Sequence, residues 1–288
     1  MNVISASYGN DSVAMIQMAH EIGLENVTVA YCDTGWAAPY WTALRVPQGE
    51  ALATKYGFPT VRIKSIGMRE LVRMKKGWPG NGQQFCTAWL KGLPFLQWID
   101  EADPDHKATV IIGKRRAESL ARRDTPEFID ASEYHGGRRV WHPLFLHSDD
   151  ERNALIRRAG FEPLPHRSDE CSPCVNSNRA DLRRLAGDRA TEIALLENEI
   201  GQPMFREQRF NALGIQAVVR WAKYSPGQFK PGMEDLFSVE GCGSAFGCES
   251  PTGEGAEQSY IPDPASPGDV WPRSGVVTPL VRKLRGVR

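Results

Sequence analysis

The stretch Ile4–Gly23, ISASYGNDSVAMIQMAHEIG, decides how the chain folds. Met1 to Ala6 is a short apolar run of the kind that forms a buried parallel strand, and Val13, Ile16, Met18 and Ile22 recur at roughly helical spacing. Between them Ser7-Tyr8-Gly9-Asn10-Asp11-Ser12 is a polar loop containing glycine. A loop at a strand-to-helix junction leaves backbone N–H groups at the positive end of the helix dipole, where a phosphate or pyrophosphate is favoured. The plainer reading is that Asn10, Asp11 and Ser12 only cap a helix. The rest of the chain has to separate the two.

Outward from this stretch, residues 1 to 113 alternate between strand and helix. Apolar runs stand at Val3–Ala6, Val27–Cys32, Thr60–Ile63 and Thr109–Ile112, with helical patterns around 12–23, 40–56, 68–76 and 88–101. This order predicts an α/β fold, a parallel sheet with helices on both faces, whose ligands bind beyond the carboxyl ends of the strands. Those ends read SYGNDS, then Cys32-Asp33-Thr34-Gly35, then Gly113-Lys114-Arg115-Arg116-Ala117-Glu118-Ser119. Backbone donors of the first loop can hold a pyrophosphate, while Asp11 and Ser12 orient it or bind its Mg²⁺. Lys91, Arg115 and Arg116 can neutralise phosphate charge, and arginine forks suit phosphate oxygens in particular. Taken singly, each basic residue also reads as a solvated surface group.

SYGNDS resembles the pyrophosphate loop of the ATP-pyrophosphatase superfamily, Ser-x-Gly-x-Asp-Ser, and lacks the Gly-Lys-Ser/Thr ending of a Walker A loop. CDTGW, FCTAWLK, GKRRAES, VWHPLF followed by a helix, and ECSPC occur in the order of the phosphoadenosine-phosphosulfate (PAPS) reductase-like branch. The resemblance spans about residues 1–200. It implies a Rossmann-like, adenine nucleotide alpha hydrolase-like fold that binds ATP and Mg²⁺. It places nucleotide contacts at Ser7, Tyr8, Gly9, Asn10, Asp11, Ser12, Asp33, Thr34, Gly35, Lys91, Gly113, Arg115 and Arg116. Asp11, Ser12, Lys91 and Arg115 carry the chemistry in this reading. One departure is Asn10, where many relatives have Lys, which shifts phosphate neutralisation onto Lys91 and the arginines.

The chain has six cysteines and no basic, apolar leader at Met1, so thiols kept reduced inside a cell are expected to serve a metal or a reaction. Cys171-Ser-Pro-Cys174 is a Cys-x-x-Cys just before a helical pattern, a spacing that lets both sulfurs reach one metal. Cys242 and Cys248 lie in the Gly-rich EGCGSAFGCES, Cys86 precedes Lys91, and Cys32 reads as a small core residue. Four of Cys86, Cys171, Cys174, Cys242 and Cys248 satisfy a [4Fe–4S] cluster, or equally a tetrahedral zinc site. Resemblance to branch members with a cluster at this Cys-x-x-Cys favours iron–sulfur. The histidines show no ligand spacing and read mostly as surface or partly buried groups.

Three regions are expected: a nucleotide-binding domain at 1–165, a helical, cluster-binding region at 166–250 and a loosely docked tail at 251–288 rich in Pro, Gly, Ser and acidic residues. Helices are expected near 149–159, 178–199 and 206–223. No apolar run is long enough to cross a bilayer, so a soluble, cytoplasmic protein is expected. The zero formal net charge argues against tight, autonomous nucleic-acid binding. Within the branch, the resemblance is to the ATP-pyrophosphatase subunit of bacterial DNA phosphorothioation systems. It implies a cysteine desulfurase as sulfur or cluster donor and DNA-handling partners that present the DNA. The alternatives are a PAPS or adenylyl sulfate reductase, a non-catalytic nucleotide-sensing subunit, and, as a near variant, tRNA thiolation. Against the reductase, EGCGSAFGC lacks the histidine of that class's motif and no adjacent Cys-Cys pair occurs.

Overall fold

The computed structural model describes residues 1–80, 84–205 and 214–224. Strand β1 (Asn2–Ser5) leads through the SYGNDS loop into α1 (Asn10–Glu21), then β2 (Val27–Asp33). A π-helical turn, Trp41–Arg45, runs straight into α2 (Val46–Lys55), followed by β3 (Thr60–Lys64) and α3 (Met68–Lys75). The short α4 (Phe85–Thr87) passes through a second π turn, Ala88–Gly92, into α5 (Leu93–Ala102) and β4 (Thr109–Ile111). β5 (Phe128–Ser132), β6 (Arg138–Trp141) and α6 (Asp149–Arg158) complete the sheet layer.

The strand order is β3-β2-β1-β4-β6-β5. All neighbours are parallel except β5, which runs antiparallel to β6 at the edge and was not expected from the sequence. β5 is mostly exposed and lacks the continuous apolar run of a two-sided buried strand. In β1 the side chains alternate. Ile4 packs with α1, α2 and α6 on one face, and Val3 packs with α5 on the other. Because β1 has β2 on one side and β4 on the other, the order reverses beside it and opens a crevice beyond the carboxyl ends of both.

The helix expected over 178–199 is two helices, α7 (Arg179–Arg184) and α8 (Gly187–Ile200). Leu185 and Ala186 between them are extended, with ψ of 126° and 147°. Leu182, Leu185, Ile193 and Leu196 stay in one apolar cluster across the break. α7, α8 and α9 (Gly214–Tyr224) share one apolar cluster with Trp36, Met68, Leu71 and Leu90. The expected boundary at 165 therefore lies between segments that pack on each other. Cys242, Cys248 and the tail at 251–288 lie outside the described residues. No helix among the described residues is long and apolar enough to cross a membrane.

Candidate functional site

The loop after β1 is shaped by contacts from behind it. Tyr8 sits in the left-handed region at φ 59°, an uncommon conformation for a side-chain-bearing residue that the surroundings must enforce. Trp41 Nε1 donates to the Ser7 carbonyl at 3.1 Å, and Arg45 Nε donates to the Tyr8 carbonyl at 2.8 Å. One turn on, Gly49 leaves the space that the Tyr8 ring fills, since a Cβ there would stand 2.1 Å from the ring. In front, Ser12 Oγ accepts from the Ser7 N–H at 2.9 Å, which closes the loop onto the first turn of α1. Gly113 lets the loop after β4 approach α1, because a Cβ on it would lie 2.9 Å from Asp11 Cβ.

In front of this loop lies a cleft of about 580 Å³. Ser7, Gly9, Asn10, Asp11, Ser12, Thr34, Lys91, Gly113 and Arg115 line it, and so do Cys86, Cys171 and Cys174. Sequence segments far apart are thus gathered at the crevice where the strand order reverses. Other expected contacts point elsewhere. The Tyr8 ring is buried behind the loop. Asp33 and Gly35 line a separate pocket of about 400 Å³ with Arg69 and Glu192. Arg116 donates to the Thr125 carbonyl at 2.8 Å, stacks over Phe145 at 5.1 Å, and is not among the cleft-lining residues. Asn10 contributes its place at the helix start, but its amide is committed to both backbone groups of Leu164, at 2.9 and 2.8 Å.

The cations of the cleft are held by carboxylates. Lys91 pairs with Glu170, and Arg122 with Glu118. Arg115, its side chain 3 % exposed, bonds Asp11 and Asp149, both at 2.9 Å, and the His147 carbonyl at 3.3 Å. Arg152 lies 3.2 Å from Asp149 and 3.8 Å from Asp11. Arg167 pairs with Asp181 at 2.9 Å. Burial pushes the Glu118 carboxyl up to about 7, with the nearby Asp11 adding to the rise and Arg122 and Arg115 opposing it. An anionic ligand entering here must draw Lys91 and the arginines away from these carboxylates.

Several of these groups escape sequence reading. Glu118 lies within GKRRAES and Glu170 within ECSPC, so both were adjacent to recognised positions. Asp149 and Arg152 reach the cleft from α6, whose sequence reads only as a charged helix with a capping box at Ser148 and Glu151. Four histidines, His20, His106, His147 and His166, are exposed or partly buried, as expected, and two are not. His135 and His142 are 1 % and 2 % exposed, and burial holds them at about 3 and about 4, so they are neutral core groups. Packing of β5, β6 and the intervening turn against the sheet buries them, which their loop-like sequence setting hides.

None of Cys32, Cys86, Cys171 and Cys174 is in a disulfide. Cys32 is a core residue at the base of the cleft, as expected, its thiol pushed up to about 12 by burial. Although three of the expected ligand cysteines share the cleft, no group of three or more His, Cys, Asp or Glu close enough to hold a metal occurs among the described residues. The other two expected ligands, Cys242 and Cys248, lie outside the described residues.

The phosphoadenosine phosphosulfate reductase domain model matches residues 1–167, and the chain belongs to that family. Among curated proteins it is similar to an uncharacterized 37.8 kDa protein in the gpa 5′ region of Escherichia phage 186. The identity is 24 % over 251 residues, covering 67 % of this chain and 72 % of the phage protein. Among solved structures it is similar to the U34-tRNA thiolase NcsA from Methanococcus maripaludis with its [4Fe-4S] cluster. That match has 12 % identity and a TM-score of 0.43, and covers 80 % of this chain and 83 % of the other.

Proposed function

We propose that this protein is an ATP pyrophosphatase that adenylylates an oxygen so that sulfur can replace it. The observation that carries this reading is one cleft lined by the SYGNDS loop, Lys91, Arg115 and three cysteines. The start of α1 offers N–H groups and dipole to the pyrophosphate of ATP. Asp11 is the carboxylate available to the accompanying Mg²⁺. Lys91 and Arg115 turn from their carboxylates to the charge that accumulates on the leaving pyrophosphate. The acceptor oxygen attacks the α-phosphorus and pyrophosphate leaves. Sulfide, released from the donor's persulfide by a thiol reductant that is oxidised to disulfide, then attacks the activated centre, and AMP leaves with the acceptor oxygen. No step here runs through a metal cluster.

We take the acceptor to be a non-bridging phosphate oxygen of DNA, presented by DNA-handling partners, with a cysteine desulfurase supplying sulfur. Weak DNA binding by the chain alone agrees with its zero formal net charge. Four of Cys86, Cys171, Cys174, Cys242 and Cys248 are the ligands we assign to a [4Fe–4S] cluster, with zinc on the same thiols as the alternative. The test is release of pyrophosphate from ATP by the anaerobically purified protein with DNA and these partners, together with iron and sulfide analysis. Nuclease-resistant phosphorothioate dinucleotides that require ATP are expected. Sulfite released from PAPS with only a thiol reductant would replace this reading with the reductase. Stoichiometric zinc without iron would replace the cluster.

A further inference from the structure

Arg45 is 7 % exposed and lies directly behind the pyrophosphate loop. Its Nε donates to the Tyr8 carbonyl, its guanidinium lies 4.9 Å from the Phe161 ring centroid and 6.0 Å from that of Trp41, and one of its terminal nitrogens is buried with no hydrogen-bond partner. Among the described residues no carboxylate pairs with it, whereas Lys91, Arg115, Arg122, Arg152 and Arg167 in the cleft are each paired. A buried arginine without a counter-ion is costly, and for structural purposes alone an apolar side chain would fill the same volume. Desolvation pulls its pKa down from the usual value, yet a guanidinium remains charged in proteins.

Trp41, Arg45 and Gly49 follow at i, i+4 and i+8 on one helical face, and all three address the loop. Trp41 and Arg45 hold the carbonyls of two successive peptides, those of Ser7 and Tyr8. In a trans peptide the N–H points opposite to the C=O. Holding both carbonyls at the back turns the N–H groups of Tyr8 and Gly9 away from them. The Gly9 N–H donates to Ser7 Oγ at 3.3 Å, and both Ser7 and Gly9 line the cleft. A cationic donor on a carbonyl also polarises that peptide and makes its N–H a stronger donor.

We infer that Arg45 is a positioning residue that charges the pyrophosphate loop from behind, through the Tyr8–Gly9 peptide. The inference rests on the reading that this loop holds the pyrophosphate group of a nucleotide. It assigns anion affinity to a residue outside the ligand cleft, on an element that the sequence motifs do not include.

The test measures Mg·ATP and inorganic pyrophosphate binding by calorimetry on the full chain and on Arg45→Met, Arg45→Gln and Arg45→Lys. Thermal melting is run on each. Lys keeps the charge, Gln keeps a neutral donor for the Tyr8 carbonyl, and Met keeps only bulk. Both neutral variants are expected to bind about tenfold more weakly, and Lys to stay within about threefold of wild type. The Gly9 amide proton is expected to move upfield in Arg45→Gln and not in Arg45→Lys. Wild-type affinity in a folded Arg45→Met or Arg45→Gln variant would overturn the inference while leaving the loop as the nucleotide site. If Met does not fold, Gln against Lys decides, and equal affinity in the two overturns the inference. A wild-type protein that binds neither ligand would instead remove the nucleotide reading on which it rests.

Discussion

Arg115 Nε donates to Asp11 Oδ1 at 2.9 Å and ties the loop after β4 to the first turn of α1 across the mouth of the crevice. The same guanidinium holds Asp149 at the start of α6. A single buried cation therefore joins three elements that line the cleft.

Asp11→Asn is expected to lower pyrophosphate release by about a hundredfold while the chain still melts cooperatively. Arg115 keeps Asp149 and the His147 carbonyl in that variant, so its buried charge stays partnered. Pyrophosphate release assayed beside a thermal melt checks both halves. Wild-type turnover in a folded variant would remove Asp11 from the chemistry.

Lys91→Ala is expected to weaken Mg·ATP binding by about 1–3 kcal/mol, the range of a charge-assisted contact. Glu170→Gln is expected to act in the opposite direction, tightening binding by about 1 kcal/mol, because the carboxylate that competes with phosphate for Lys91 is neutralised. Calorimetry on the pair is decisive through the sign. A Glu170 variant that binds more weakly would show that the carboxylate positions Lys91 and does not compete with the ligand.

Glu118 sets a pH dependence. Burial raises its folded pKa from 4.5 to about 7, so the folded state holds this proton more tightly than the unfolded chain. The associated stability is full below about pH 4.5 and is lost as the pH rises through about 7. Glu118→Gln should flatten that part of the curve, measured as the difference in melting temperature between pH 5 and pH 8 for variant and wild type. Equal differences would place the Glu118 carboxyl back in the ordinary range.

Asn10→Ala is expected to cost about 1–3 kcal/mol, because it strips two hydrogen bonds from the Leu164 backbone and leaves partly buried groups unsatisfied. Amide exchange at Leu164 should accelerate, along with that of the segment leading to Cys171. Unchanged protection there would mean that other contacts hold this loop in place.

Much of this molecule was legible in short windows of sequence. Apolar runs and helical spacing are local consequences of side-chain period, and they located β1 to β4, α1, α3 and α6 to within a few residues. The SYGNDS loop could be read because a strand, a glycine-containing turn and a helix start are consecutive in the chain. The order of motifs pointed to the family for the same reason. Only the tertiary structure decided which of those residues meet. Lys91 and Glu170 are 79 residues apart and Asp11 and Arg115 are 104 apart, and no window holds both members of either pair. The site residues that sequence treated alike are separated by direction: Arg115 turns into the cleft and Arg116, its neighbour, packs on Phe145. Asn10 reads as a lost phosphate ligand, yet its side chain bridges to a backbone 154 residues away. Arg45, in a helix without a recognised motif, reaches the loop only because packing of α2 against α1 and the sheet brings it there. Periodicity is written locally, whereas partners, burial and the direction of a side chain arise when distant segments exclude water together.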